Sequence, residues 1–146
     1  MRLASVDDVL NEETSAGLAE DTTYLSFFER IRETKRALLD LLISLKRDGK
    51  TIVGYGAPAK GNTLLNYCGI GSDFLEYTVD RSPQKQGLYL PGSRLAIRDP
   101  SAITETKPDF LMILPWNIKD EIMDQMVQIR EWGGRFIIPI PKATVV

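Results

Sequence analysis

Gly54-Tyr-Gly56-Ala57-Pro-Ala59-Lys60-Gly61-Asn62-Thr63 is the stretch whose residue types most suggest ligand chemistry. Gly54, Gly56 and Ala59 fit G-x-G-x-x-A, the dinucleotide fingerprint, if a strand precedes and a helix follows. Glycine lets backbone amides approach a phosphate, and a helix N-terminus adds a partial positive charge. Lys60 adds a full charge in the first turn, where the helix dipole disfavours a cation, so an anion nearby accounts for it. The P-loop is excluded, because Gly61 stands where a magnesium-binding Ser or Thr is needed. Asp80 follows at roughly the 20-residue spacing of a ribose-binding acid. It either binds such a hydroxyl or anchors its own loop. The alternative for the whole stretch is a tight strand-to-helix turn without a ligand.

A second polar loop, from Asp80 to Gly92, offers Arg81 and Lys85 to a phosphate and Gln86 and Tyr89 to hydroxyls. Long ordered loops in small domains usually carry function, although a solvated connection is the plain alternative. A third segment, Leu114-Pro-Trp116-Asn117, puts an aromatic where it can stack on a base or a sugar face. Asn117 either meets the ligand or caps the following helix. Trp132 reads as packing, and so does Cys68, which has no histidine to activate it as a nucleophile.

What is missing narrows the chemistry further. There is no histidine, so the commonest general base and metal ligand is absent. A single cysteine forbids an internal disulfide and a cysteine zinc cluster. Eighteen basic against 20 acidic residues leave no basic field for nucleic acid. No apolar run reaches the roughly 18 residues of a membrane span, and no signal peptide is evident, so the expectation is a soluble cytoplasmic protein. A chain of 146 residues with 43% apolar content is about one domain with a real core.

The elements that must position these loops follow from periodicity. Val6, Val9 and Leu10 suit a short helix broken at Gly17, and residues 1–21 read as a connector. Tyr24, Phe27, Phe28, Ile31, Leu38, Leu39, Leu42 and Leu45 recur at three-and-four spacing, predicting one long helix that Gly49 ends. Short apolar strands are expected at 51–55, 77–80, 95–97, 109–114 and 136–140. Between them come helices starting near Lys60, at Asp99-Pro100, and over Ile118–Ile129. Pro139 suits a sheet edge or a strand end. Strands that are apolar throughout suit a sheet covered on both faces. The expected fold is α/β, a Rossmann-like, doubly wound, mostly parallel sheet of 4–5 strands behind a long N-terminal helix, with 22–146 as the folded domain.

Four motifs in order carry a family resemblance: G-Y-G-A-P-A-K-G-N-T-L-L-N-Y at 54–67, V-D-R-S-P-Q-K-Q-G-L-Y-L-P-G at 79–92, L-P-W-N at 114–117 and E-W-G-G-R-F-I-I-P-I-P at 131–141. From the long helix to Pro141 the chain resembles the C-terminal domain of the sugar C-methyltransferases, which act on thymidine-diphosphate (TDP) deoxysugars. The resemblance implies an upstream zinc-binding domain and an S-adenosylmethionine-binding domain, neither contained here. It implies that the catalytic groups also lie upstream, so this domain has no catalytic residue, holds no metal and binds no methyl donor. It implies that a base upstream removes the C3 proton of a 4-keto sugar and that C3 then attacks the methyl group. Gln84 stands where family members often have His; hydrogen bonding is kept and a titratable role is lost.

What the resemblance leaves to this chain is substrate binding. Gly56, Ala57 and Lys60 are expected at the diphosphate, assisted by Arg81 or Lys85, with Gly54 also among the substrate-binding residues. Asn62, Asp80, Tyr89, Trp116 and Asn117 are expected at the nucleotide or sugar. The partners implied are a TDP-sugar and the upstream domain of the same polypeptide, with neither nucleic acid nor membrane. Two other readings stand beside this one: a nicotinamide-dinucleotide domain of an oxidoreductase, and a non-catalytic docking module. Preference for TDP, for NAD or for neither separates the three.

Overall fold

The computed structural model describes residues 4–146. Eleven named elements follow in order: α1 (Ala4–Ser15), α2 (Asp21–Arg47), β1 (Ile52–Tyr55), α3 (Ala59–Cys68), β2 (Thr78–Val79), β3 (Ile97–Arg98), α4 (Ser101–Thr106), β4 (Phe110–Ile113), α5 (Lys119–Gln125), β5 (Arg135–Ile138) and β6 (Thr144–Val145). Two compact units divide the chain, one ending at Glu33 and the other running from Thr34 to Val146. In the first, Val9, Tyr24, Leu25, Phe27 and Phe28 are each at least half exposed, and the Tyr24 hydroxyl donates to the Leu18 carbonyl at 2.6 Å.

The second unit is a mixed α/β layer structure on a six-stranded sheet of order β3-β2-β1-β4-β5-β6. The pairs β3–β2, β2–β1, β1–β4 and β4–β5 are parallel, with Ile52 beside Phe110 and Phe110 beside Arg135. Successive strand side chains point to opposite faces, and both faces are covered. Ile52, Met112 and Ile137 meet Leu38 and Leu42 of α2 and Leu65 and Cys68 of α3. Val53, Leu111, Ile113 and Phe136 meet Ile103 of α4, Ile122 of α5, and Met126 and Ile129 beyond it. Leu38, Leu42, Leu65, Leu111 and Phe136 are fully buried. Each such side chain contributes roughly 1.5–3 kcal/mol through removal from water. The apolar runs around β1, β4 and β5 are therefore interior strands flanked by helices, as their composition predicts.

The expected strand count of 4–5 is corrected to six. β6 is two residues long and pairs antiparallel with β5, and the Phe136 and Val146 backbones exchange hydrogen bonds of 2.9 and 3.0 Å. So short a strand has no local periodicity and exists because β5 offers it an edge. Pro139 lies just past the end of β5. The strand expected at 95–97 starts two residues later and ends one later, at Ile97–Arg98, on the edge of the sheet. The helical run after β4 is broken: Trp116–Ile118 and Val127–Trp132 are 3-10 turns on either side of α5. α4 begins at Ser101, one residue later than expected, with Pro100 in the capping position, and the Asp99 carboxylate just before it accepts the Ser101 amide at 2.8 Å. Trp132 packs on the core and donates its indole N–H to the Pro108 carbonyl at 3.0 Å. Cys68 is buried, and burial pushes its thiol up from its ordinary value. Among the described residues no helix is long and apolar enough to cross a membrane.

Candidate functional site

Parallel strands end on the same side of a sheet, so the loops after β1, β2 and β4 gather at one edge. Gly56 leaves β1 with φ 88°, a conformation that L side chains rarely adopt. A Cβ at Gly56 would also stand 2.7 Å from Pro115 Cδ, so the first and third loops touch there. A Cβ on Gly61 would stand 2.8 Å from that of Leu114, and one on Gly54 2.8 Å from Thr78 Oγ1. The glycines of the fingerprint are thus required by contacts inside the protein.

The loop's polar groups are largely committed. The Ala57 amide donates to Asp80 Oδ2 at 2.7 Å, and the Ser82 amide donates to Asp80 Oδ1 at 2.9 Å. Lys85 Nζ donates to Asp80 Oδ2 at 3.1 Å and to the Ala57 carbonyl at 3.0 Å. Burial alone would raise the Asp80 pKa, but the Ser82 and Ala57 amides and Lys85 outweigh it and hold the carboxyl below its ordinary range. Of the two roles open to Asp80, the structure therefore shows the anchor: it staples the second loop to the first. Lys85 is turned inward to the same staple, and the Ala57 amide, expected to face a diphosphate, is already taken.

Lys60 has a different environment. Its ammonium lies 5.0 Å from the centre of the Trp116 ring and hydrogen-bonds to Asn117 Oδ1. A cation over an indole face is attracted by the ring's quadrupole. Trp116 is half-buried and also packs against the core. Both polar neighbours of Lys60 are uncharged, so its charge is not neutralised by them. The structure brings Lys60, Trp116 and Asn117, from the first and third loops, together.

The remaining expected residues disperse. Asn62 accepts from Asn66 Nδ2, which also donates to the Pro91 carbonyl at 3.0 Å, so Asn62 belongs to the seam between α3 and the second loop. Tyr89 is 66% exposed and pairs with Ala96 in an isolated bridge. Arg81 reaches toward α5, its Nη1 3.4 Å from Gln125 Oε1. That contact exposes what the motif reading missed. Tyr55, Glu121 and Gln125 line a cavity with Gly56, Arg81 and Pro115. One signal was available: Tyr55 is an aromatic with a polar tip on the last residue of a strand at the ligand-binding edge.

The geometry describes a loop cluster in which, among the described residues, Lys60 and Arg81 meet uncharged partners, Lys60 in the first turn of α3, with a small polar cavity beside it. Comparison with known proteins gives it a family. Residues 2–141 match the C-methyltransferase C-terminal domain family. The chain is 41% identical over 142 residues to the C-methyltransferase NovU of Streptomyces niveus, an alignment covering 97% of this chain and 34% of that protein. The chain thus spans about a third of the length of that curated relative. With a match over nearly its whole length, the chain belongs to the C-methyltransferase C-terminal domain family.

Proposed function

We propose that this domain holds the nucleotide sugar of an S-adenosylmethionine-dependent C-methyltransferase that methylates a TDP-4-keto-deoxysugar at C3. Family membership supports the methyltransferase setting. The single observation that carries the binding role is Lys60, a cation in the first turn of α3 whose polar contacts, Trp116 and Asn117, are both uncharged. A diphosphate there gains a charge-assisted hydrogen bond and the favourable end of the helix dipole. The order β3-β2-β1-β4-β5-β6 supports a Rossmann-like reading of the fold, with the ligand edge at the strands' carboxyl ends. In this reading residues 1–21 are the connector and 22–146 the substrate-binding domain of a cytoplasmic enzyme, whose upstream domain binds the methyl donor.

One observation weighs against a dinucleotide. The acid that would hold a ribose, Asp80, already accepts from two amides and Lys85. Among the described residues no group of three or more His, Cys, Asp or Glu is placed to hold a metal. What this chain's residues do is position. Asn117 and Trp116 hold the Lys60 ammonium, and the Asp80–Lys85 staple holds the glycine loop around it. A substrate fixed in this way reaches the reacting groups with its translational freedom already spent, an effect worth up to several kcal/mol of barrier. Calorimetric titration with TDP, NAD and S-adenosylmethionine in parallel tests the reading. Selective TDP binding is expected. Preference for NAD or for S-adenosylmethionine overturns it, and binding of none assigns the loops to scaffold.

A further inference from the structure

We propose that the groove between the C-terminal end of α3 and the turn at 91–94 is a second ligand site, and that it takes a neutral polyol through two neighbouring hydroxyls. The groove lies at the other end of α3 from the loop cluster. That helix runs ten residues, from Ala59 to Cys68, which at 1.5 Å per residue is about 15 Å. The inference is independent of the reading of Lys60.

The cavity measures about 460 Å³, within the roughly 300–1,000 Å³ of small-molecule sites. Its walls are held together by Asn66. The Nδ2 of that residue, on α3, donates to the Asn62 carbonyl at 2.8 Å and to the Pro91 carbonyl of the turn at 3.0 Å. Gly92 has φ 82°, and a Cβ there would collide with Asn66 Oδ1, so the turn approaches α3 as only glycine permits. Beyond the helix end, the Gly71 amide donates to Asp73 Oδ1 at 3.2 Å and orients that carboxylate.

Ser93 carries the argument for a ligand. It lines the cavity, and its Oγ is buried with no hydrogen-bond partner, the one such side-chain atom among the described residues. A buried hydroxyl without a partner costs stability. The site requires one step about χ1 to turn this hydroxyl to the groove, and that step breaks no hydrogen bond. A ligand group that both accepts and donates there recovers the cost.

The wall selects the ligand class. Among the described residues Asp73 is the one charged side chain in it. An anion would meet that carboxylate and the negative end of the α3 dipole. A bare cation suits Asp73 but gives the Ser93 proton no acceptor. Lys35 already supplies an ammonium at this helix end, donating to the Tyr67 carbonyl at 2.8 Å. A hydroxyl does both tasks, donating to a carboxylate oxygen and accepting from a serine. Asp73 and Ser93 together, with the exposed Ser72 hydroxyl beside them, therefore suit two neighbouring hydroxyls. At about 30 Å³ per liquid water the volume equals some fifteen waters, ample for a six-carbon polyol or sugar ring.

The test is an NMR titration of this chain, following the backbone amides of Gly71, Asp73, Gly92 and Ser93. The probes are myo-inositol, glucose and maltotriose, which separate a free cyclitol, a free sugar and the end of a glycan. Methylammonium and acetate are the charged controls. At least one polyol should move these amides along a saturating curve, and neither control should. Ser93→Ala should weaken that polyol about fivefold, the loss of one hydrogen bond. The same variant should leave the unfolding midpoint of the free chain level or higher, because it removes an unpaired hydroxyl. Asp73→Asn, at an exposed position, should weaken the polyol to a similar degree. No saturating response to any polyol overturns the proposal, as does a response confined to the loop cluster or a stronger one to either control. Ser93→Ala that binds within twofold of the unaltered chain, or that lowers the midpoint, overturns it too.

Discussion

The Ala57 amide sits 2.7 Å from Asp80 Oδ2, and Lys85 closes the circuit by donating to that same oxygen at 3.1 Å and to the Ala57 carbonyl at 3.0 Å. One residue of the glycine loop thus has both backbone groups held by the next loop. The acid and base that resemble ligand contacts in the motif are joined here as a fastener between the two loops.

Asp80→Asn should therefore destabilise the domain. The change replaces a charged acceptor of three donors by a weaker one, at about 1–3 kcal/mol. Urea denaturation reads this directly; a midpoint equal to that of the unaltered chain would remove the fastener from the account.

Lys60 and Lys85 should part company on truncation. Lys60→Ala is expected to weaken TDP binding roughly 10- to 100-fold with little change in stability, because it removes a charge-assisted contact to the ligand. Lys85→Ala is expected to lower stability and to change TDP affinity far less. Calorimetry and denaturation on both variants check the pair, and equal effects on affinity would show that the two cations share one role.

Stability should fall in acid for a defined reason. Asp80 is held below its ordinary range by the Ser82 and Ala57 amides and Lys85 against the opposing effect of burial. Asp109 is lowered chiefly by the Thr51 amide, at 2.9 Å, with help from the Thr51 hydroxyl and Lys50. A carboxyl lowered in the fold stabilises fully above its unfolded value of about 3.9, and the gain is lost as pH falls through the lowered value. The denaturation midpoint should stay level from about pH 7 to 5 and drop below about pH 4. Asp80→Asn should remove part of that drop; an unchanged acid slope would count against it.

Two glycine substitutions test the close approach of the loops. Gly56→Ala meets both the positive φ and Pro115, and Gly61→Ala meets Leu114. Each should cost about 1–3 kcal/mol, from backbone strain in the first case and overpacking in the second. Thermal unfolding measures both, and a neutral Gly61→Ala would mean that α3 shifts away from β4 freely.

Leu42→Ala should be among the most damaging truncations in α2, with Leu38→Ala. The side chain is fully buried against the sheet, and leucine-to-alanine changes in such places cost about 2–5 kcal/mol. Leu25→Ala, at a position 68% exposed, should cost far less in the same assay.

How much of this was legible beforehand follows from the range of the interactions. Leu38 and Leu42 announce the buried face of α2 because one helix period decides it. Phe110 to Ile113 announce an interior strand because a run apolar on both faces needs cover on both. Gly54, Gly56 and Lys60 mark a strand-to-helix turn with a cation because turn chemistry is local. The family motifs are legible for the same reason, being short and contiguous. Thr144 and Val145 carry no such mark, since their pairing is supplied by β5. Nothing near Lys85 in sequence says that it turns inward to Ala57, or near Lys60 that it does not. Tyr55 and Gln125 lie seventy residues apart, and only the packing of α5 against the sheet brings them to one cavity. Local periodicity and turn chemistry determine which segments become strands, helices and loops. Which polar group finds which partner depends on distances closed by the fold, and so belongs to the tertiary structure alone.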